Sequence, residues 1–192
     1  MASKTIRRAV ALFLPAFAAL TVAIGLTYSG VQQDLRIGAN DVPQQLAEDG
    51  ARALDAGTSP ATVAGPAPGA VAIETSLAPF VAVYDKKGGL LASNGSLDGR
   101  PPAVPIGVLD SARASGRDAV TWQPRQGVRV ALVVLPWQGG TIGAGRSLRV
   151  IEERIETIGS LLALGWLIGA AIIAGVAGVA SWMWPAGHGD TA

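Results

Sequence analysis

Glu152, Glu153 and Glu156 lie close together in the chain, beside Arg149 and Arg154. Carboxylates in such a group can divide acid and base work only where two environments split their pKa values. Here the spacing reads instead as the solvated face of a helix, laced by i,i+3 and i,i+4 pairs with the arginines. Ser93 and Ser96 are possible nucleophiles, but a hydroxyl needs a base. The single histidine, His188, lies among the last residues, and Lys86 and Lys87 belong to a hairpin tip. Asp85 and Asp98 stand in turn contexts. There are no cysteines, which excludes disulfides, a lipoprotein anchor, thiol catalysis and cysteine metal sites. The stretch "GGTIGAG" has the glycines of a phosphate loop but lacks the Lys-Ser/Thr that would grip phosphate and Mg²⁺. A hairpin turn and a strand explain it. The residue types therefore point away from an enzyme and call for no metal or cofactor.

Two patterns point to binding rather than catalysis. Tyr84, Trp122, Arg129 and Arg146 all fall on strand-like segments. Gathered on one sheet face, they would give a ligand pocket in which a guanidinium grips a carboxylate bidentately. The plainer alternative makes Tyr84 and Trp122 ordinary core and Arg129 an outward polar residue. The second pattern is Leu148, Ile151, Ile155, Ile158, Leu162, Gly165, Gly169, Ile172 and Val176, which step by threes and fours. That is the a/d seam of a helix pair. Gly165 and Gly169 add a GxxxG close-approach motif, and Ala170, Ala174 and Gly178 a second small face. The seam serves either a homodimer or packing against the first apolar helix.

The elements that must position these residues follow from composition and period. Hydrophobic residues make up 49% of the 192 and charged ones only 15%, more apolar than an average soluble protein of this length. The net charge of +1 offers no basic field for nucleic acid. Residues 9–30 open with the uncharged run "AVALFLPAFAALTVAIGL", near the lower limit for crossing about 30 Å of hydrocarbon. Lys4, Arg7 and Arg8 precede it, which places residues 1–8 in the cytoplasm. Pro15 sits near its start. A signal peptide would look similar, but no convincing small-x-small site follows around Thr27 to Gly30, so it reads as an uncleaved anchor. Residues 158–184 form a second uncharged run, with Trp182 and Trp184 at the headgroup layer. Residues 185–192, "PAGHGDTA", then form a short cytoplasmic tail. Both spans make the lipid bilayer a partner.

Residues 31–157 are the exported domain. "VQQDLRIGANDVPQQLAEDGARALDAG" reads as helix, kinked or restarted at Pro43, with Asn40 or Asp41 as cap and Gly57 as stop. "TSPATVAGPAPGA" and "SLDGRPPAVP" read as loops. Strands are expected at Phe80–Tyr84, Leu90–Ser93, Ala119–Trp122, Val128–Leu135 and Thr141–Gly145, with a short helix at Ile106–Ser115 ended by Gly116. Leu148–Thr157 is helical and runs into the second span.

The stretches "VAVYDKKGGLLASNG", "DGRPPAVPIGVLDSARASG" and "VTWQPRQGVRVALVVLPWQGGTIGAGRSL" carry a resemblance. In this order, between two spans, they resemble the extracytoplasmic PAS-like (Cache-type) sensor domains of bacterial sensor histidine kinases and chemoreceptors. The resemblance implies an α+β fold: a five-stranded antiparallel sheet on a long N-terminal helix, flanked by two transmembrane helices of the bacterial cytoplasmic membrane. It also implies a small-molecule pocket on the sheet face. In that family the second span leads into a HAMP, kinase, cyclase or methyl-accepting domain. Here it leads into the short tail, so the resemblance implies a sensor without its own cytoplasmic effector, heard by a separate membrane signalling partner. The alternative expectation is a structural membrane protein that presents a protein-binding surface and senses nothing.

Overall fold

The computed structural model describes residues 2–65 and 67–183. The expectations for Trp184, His188 and the tail 185–192 lie outside the described residues. Packing divides the chain into two units: one holds the residues to Gln33 and from Arg154, the other is Asp34–Glu153. The second unit begins and ends a few residues inside the expected 31–157.

In chain order, α1 spans Ala2–Gly38 and α2 Asp41–Asp55. The restart expected at Pro43 falls two residues earlier. Pro43 then occupies the first turn, where its missing N–H would have had no intrahelical partner. Neither expected cap operates through its side chain. Asn40 is itself near helical (φ −86°, ψ −14°), so its side chain makes no capping bond. The α2 residues Pro43, Ala47, Gly50 and Leu54 step by four, three and four, and they form its buried face. A short helix, α3 (Pro60–Ala64), stands where the sequence suggested only loop. Ser59 caps it by accepting the Thr62 N–H at 3.2 Å, with Pro60 next in the first turn.

The strands are β1 (Val71–Ala72), β2 (Phe80–Asp85), β3 (Leu90–Ser93) and β4 (Gly95–Ser96). Then come α4 (Ile106–Ser115), β5 (Asp118–Arg125), β6 (Val128–Trp137) and β7 (Gly140–Ser147). The last helix, α5, spans Arg149–Met183. β1 and β4 form a small parallel pair that the sequence did not suggest. The other five strands make one antiparallel sheet in the order β3-β2-β7-β6-β5. The unit is α+β.

The inner strands β2, β7 and β6 are buried on both faces, which is why they read as near-continuous apolar runs rather than clean alternation. Register sorts their side chains. Phe80, Ala82, Tyr84, Trp122, Val130, Leu132 and Val134 share one face and pack with Leu109 and Ala112 of α4. Val81, Val83, Val133, Ile142 and Ala144 share the other and pack with Ala47 and Leu54 of α2. The edge strand β5 carries Pro124, and its pairing with β6 shifts between Trp122 and Arg125.

In the other unit, α1 and α5 pack along one seam in antiparallel sense. The Phe17 and Trp166 rings meet tilted at 54° with centroids 5.3 Å apart, and Trp166 Nε1 donates to Thr21 Oγ1 at 3.0 Å. Gly159 faces the Tyr28 ring and Gly169 faces Leu20. Leu12, Leu26, Leu161, Leu167, Ile172 and Val176 are exposed on the remaining faces. The hydroxyls of Thr21, Thr27, Ser160 and Ser181 donate to carbonyls of their own helices, at 2.8 to 2.9 Å. Pro15, expected near the start of a helix, lies well inside α1, because the helix begins already at Ala2.

β7 contains two glycines that differ in what they tolerate. A Cβ on Gly145 would come within 2.6 Å of Phe80 Cε1 and 2.9 Å of Val130 Cγ1. On Gly143 the nearest atoms would be an ordinary 3.6 Å away. Gly145→Ala should therefore destabilise the fold by about 1–3 kcal/mol through overpacking. Gly143→Ala should be neutral or stabilise by up to about 1 kcal/mol by stiffening the unfolded chain. Denaturant unfolding of the full chain in detergent, followed by tryptophan fluorescence, measures both.

Candidate functional site

The four residues expected to line a ligand pocket do not converge. Tyr84 pairs with Thr141 on β7 and Trp122 pairs with Val130 on β6, and both side chains enter the core beneath α4. Tyr84 is 2% exposed and Trp122 7%. The Tyr84 hydroxyl donates to the Pro102 carbonyl at 2.9 Å, and the Trp122 ring lies 6.4 Å from that of Phe80. This face is filled by packed side chains.

Arg129 and Arg146 stand one residue out of phase with those aromatics, on the opposite face. Arg129 neighbours Val130 on β6, and Arg146 pairs with Ala131. Arg129 Nη1 meets Glu152 Oε1 of α5 at 2.6 Å, and Arg146 Nε donates to the Leu77 carbonyl at 3.2 Å. Both guanidinium groups hold loops or helix ends in place. Strand parity is the reason the expected pocket is not assembled, since side chains one residue out of phase point to opposite faces.

The candidate nucleophiles and carboxylates are also occupied locally. The Ser93 hydroxyl donates to the Val81 carbonyl at 2.9 Å and accepts from the Gly95 N–H, while the Ser96 hydroxyl donates to the Gly69 carbonyl. Asp85 Oδ1 accepts from the Lys87 and Gly89 N–H groups at 2.8 and 2.7 Å, closing the β2–β3 turn. No group of three or more metal-ligating side chains occurs among the described residues.

The expected helix seam is divided between the two units. Leu148 is buried with Ala39 and Ala131, and Ile151 packs against them. Ile155 is half-buried, and Gly169 contacts Leu20 of α1. Gly165 faces open space, and Ile172 and Val176 are exposed. Past Leu162 the packed stripe runs instead through Trp166, Gly169, Ile173 and Ala177. A straight helix of 3.6 residues per turn drifts off a strict 3.5-residue seam in this way.

An open groove of about 810 Å³ lies between α3, the edge strand β3 and the Gly95–Pro101 segment. Its walls are mostly apolar, from Ala61, Ala64, Leu90, Leu91 and Pro101, and Arg100 is its charged residue. The turn before Arg100 is built from "LDGR". Leu97 and Arg100 exchange both backbone hydrogen bonds, at 2.7 and 3.0 Å, around Asp98 (φ 51°) and Gly99 (φ 73°). Two positive φ values between such a pair define the type I′ geometry that Asp-Gly favours. A second groove, of about 720 Å³, lies against Trp122, Pro105 and Pro124 and also has Arg100 in its wall. The expectation for this stretch was plain loop; its Asp-Gly dipeptide is the sequence signal for a tight turn that presents the next residue.

No family model matches this chain, and no match is found among curated proteins or solved structures.

Burial pushes the Tyr84 phenol above its ordinary value, partly offset by a backbone contact with Val104. The neutral form is favoured in the folded state. Its contribution to stability is complete below the unfolded value of about 10 and is lost as pH rises through the higher folded value. Tyr84→Phe should cost about 1 kcal/mol at neutral pH through the lost hydrogen bond. The wild type should keep that advantage up to about pH 10 and lose it as pH rises further, so the two unfolding midpoints draw together only above that pH.

Proposed function

We propose that this chain is a two-pass membrane protein whose α+β unit is exported and serves recognition without catalysis, coupling an external cue to a separate membrane partner. The observation that carries this reading is the outer surface of the α1–α5 pair. Both helices have windows of mean hydropathy above 2, and those windows are 0% and 6% buried. A core helix in a water-soluble fold would bury that surface. Here large aliphatic side chains point outward around both helices, and hydroxyls within them are satisfied by their own backbone. That combination suits hydrocarbon. Lys4, Arg7 and Arg8 before the first span favour a cytoplasmic N-terminus at a bacterial inner membrane, and two crossings return the C-terminus to the same side.

The likeness to PAS-like (Cache-type) sensor domains supports the recognition role. An antiparallel five-stranded sheet with a helix laid on one face is the arrangement that likeness implies. A second reading, a scaffold that presents a protein-binding surface, is favoured by one specific observation. The sheet face under α4 is filled by Phe80, Tyr84, Trp122 and Leu132 rather than hollow.

The chain has no cysteine of its own, so single introduced cysteines report topology cleanly. Lys86→Cys, at the exposed tip of the β2–β3 turn, should react with a membrane-impermeant maleimide on intact cells. Ala192→Cys should react only after permeabilisation. The opposite pattern, or extraction of the chain by alkaline carbonate without detergent, would refute the two-pass reading.

A further inference from the structure

We infer that the groove beside β3 binds a short-chain monocarboxylate, its carboxylate on Arg100 and its aliphatic tail along Leu90, Leu91 and Ala61. The inference rests on the reading of the α+β unit as an exported recognition module and gives that module a ligand class.

Arg100 stands apart from the other arginines of the unit. Arg52, Arg113, Arg125 and Arg129 each pair with a carboxylate. Arg117 donates to the Gln44 side chain, and Arg146 and Arg149 donate to backbone carbonyls. Among the described side chains of the unit, Arg100 is the one arginine with no such partner. Its near neighbour in sequence, Asp98, is an acid, yet Asp98 is held by Arg125 at 3.3 Å. The Asp98–Gly99 turn fixes the Arg100 backbone through two hydrogen bonds, so this charge is carried on a rigid base.

The groove supplies the other half of the ligand's chemistry. Its volume, about 810 Å³, falls in the range of small-molecule sites. The side walls come from different elements: Ala61 and Ala64 from α3, Leu90 and Leu91 from β3. Leu90 and Leu91 are 37% and 48% exposed, so uncovered apolar surface and an unpaired cation line the same groove. A neutral apolar guest would leave the guanidinium unused, and a polyanion would meet an aliphatic wall. A carboxylate on a hydrocarbon stem satisfies both, with guanidinium and carboxylate matched for two parallel hydrogen bonds.

The test uses the full chain in nanodiscs of zwitterionic lipid, with carboxyl-¹³C hexanoate as probe and empty nanodiscs to subtract partitioning. The wild type should bind hexanoate saturably and should not bind hexanol. Arg100→Ala should weaken binding about ten- to hundredfold, the loss of one charge-assisted contact, and Arg100→Lys should fall between. Ala61→Trp should abolish binding by filling the groove with Arg100 intact. No saturable binding by the wild type, equal affinity in Arg100→Ala, or equal binding of hexanol overturns the inference. A peptide ending in leucine that binds where hexanoate does not also overturns it, in favour of a protein terminus. The Lys86→Cys labelling on intact cells that express the same chain keeps the two failures apart: correct labelling with no hexanoate binding removes the ligand but leaves the topology.

Discussion

Both faces of the central sheet have to be shielded from water, and that requirement organises the whole α+β unit. β2, β7 and β6 are buried on either side, so each face needs its own cover. α2 supplies one, with Gly50 allowing close approach to Ile142 of β7. α4 supplies the other, together with the Pro-rich segment that carries Pro102 and Val104. Each cover uses apolar area worth roughly 25 cal/mol per Å² removed from water, far more than the surface ion pairs around it. Beneath both covers the sheet is filled by packed side chains. The open groove lies instead at the periphery, where β3 and α3 meet.

The sheet was largely legible in the residues. "FVAVYD" and "VRVALVVL" are dense in β-branched and aromatic types, and "IGVLDSARAS" is closed by Gly116, whose φ of 80° marks a left-handed helix stop. What escaped is short or unpatterned. α3 has five residues, too few to show a period, and stands inside a run rich in Pro and Gly. β1 and β4 have two residues each and acquire their meaning only from each other.

The expected binding residues failed for a more general reason. Alternation within one strand is readable from sequence, but the phase between strands is not, because it depends on register. Tyr84 and Arg146 share a face only if β2 and β7 pair one residue differently from the observed match of Tyr84 with Thr141. Arg100 was hidden for the opposite reason. Nothing about an arginine in a loop marks it as unpaired until every acid around it has been assigned.

The two edges of the sheet differ in how they meet other chains. β5 has a proline, a pairing irregularity and terminal charges at Asp118 and Arg125, features that discourage a foreign strand from zipping onto its backbone. A long edge without such features would invite sheet-to-sheet polymerisation, and the irregular β5 disfavours that route.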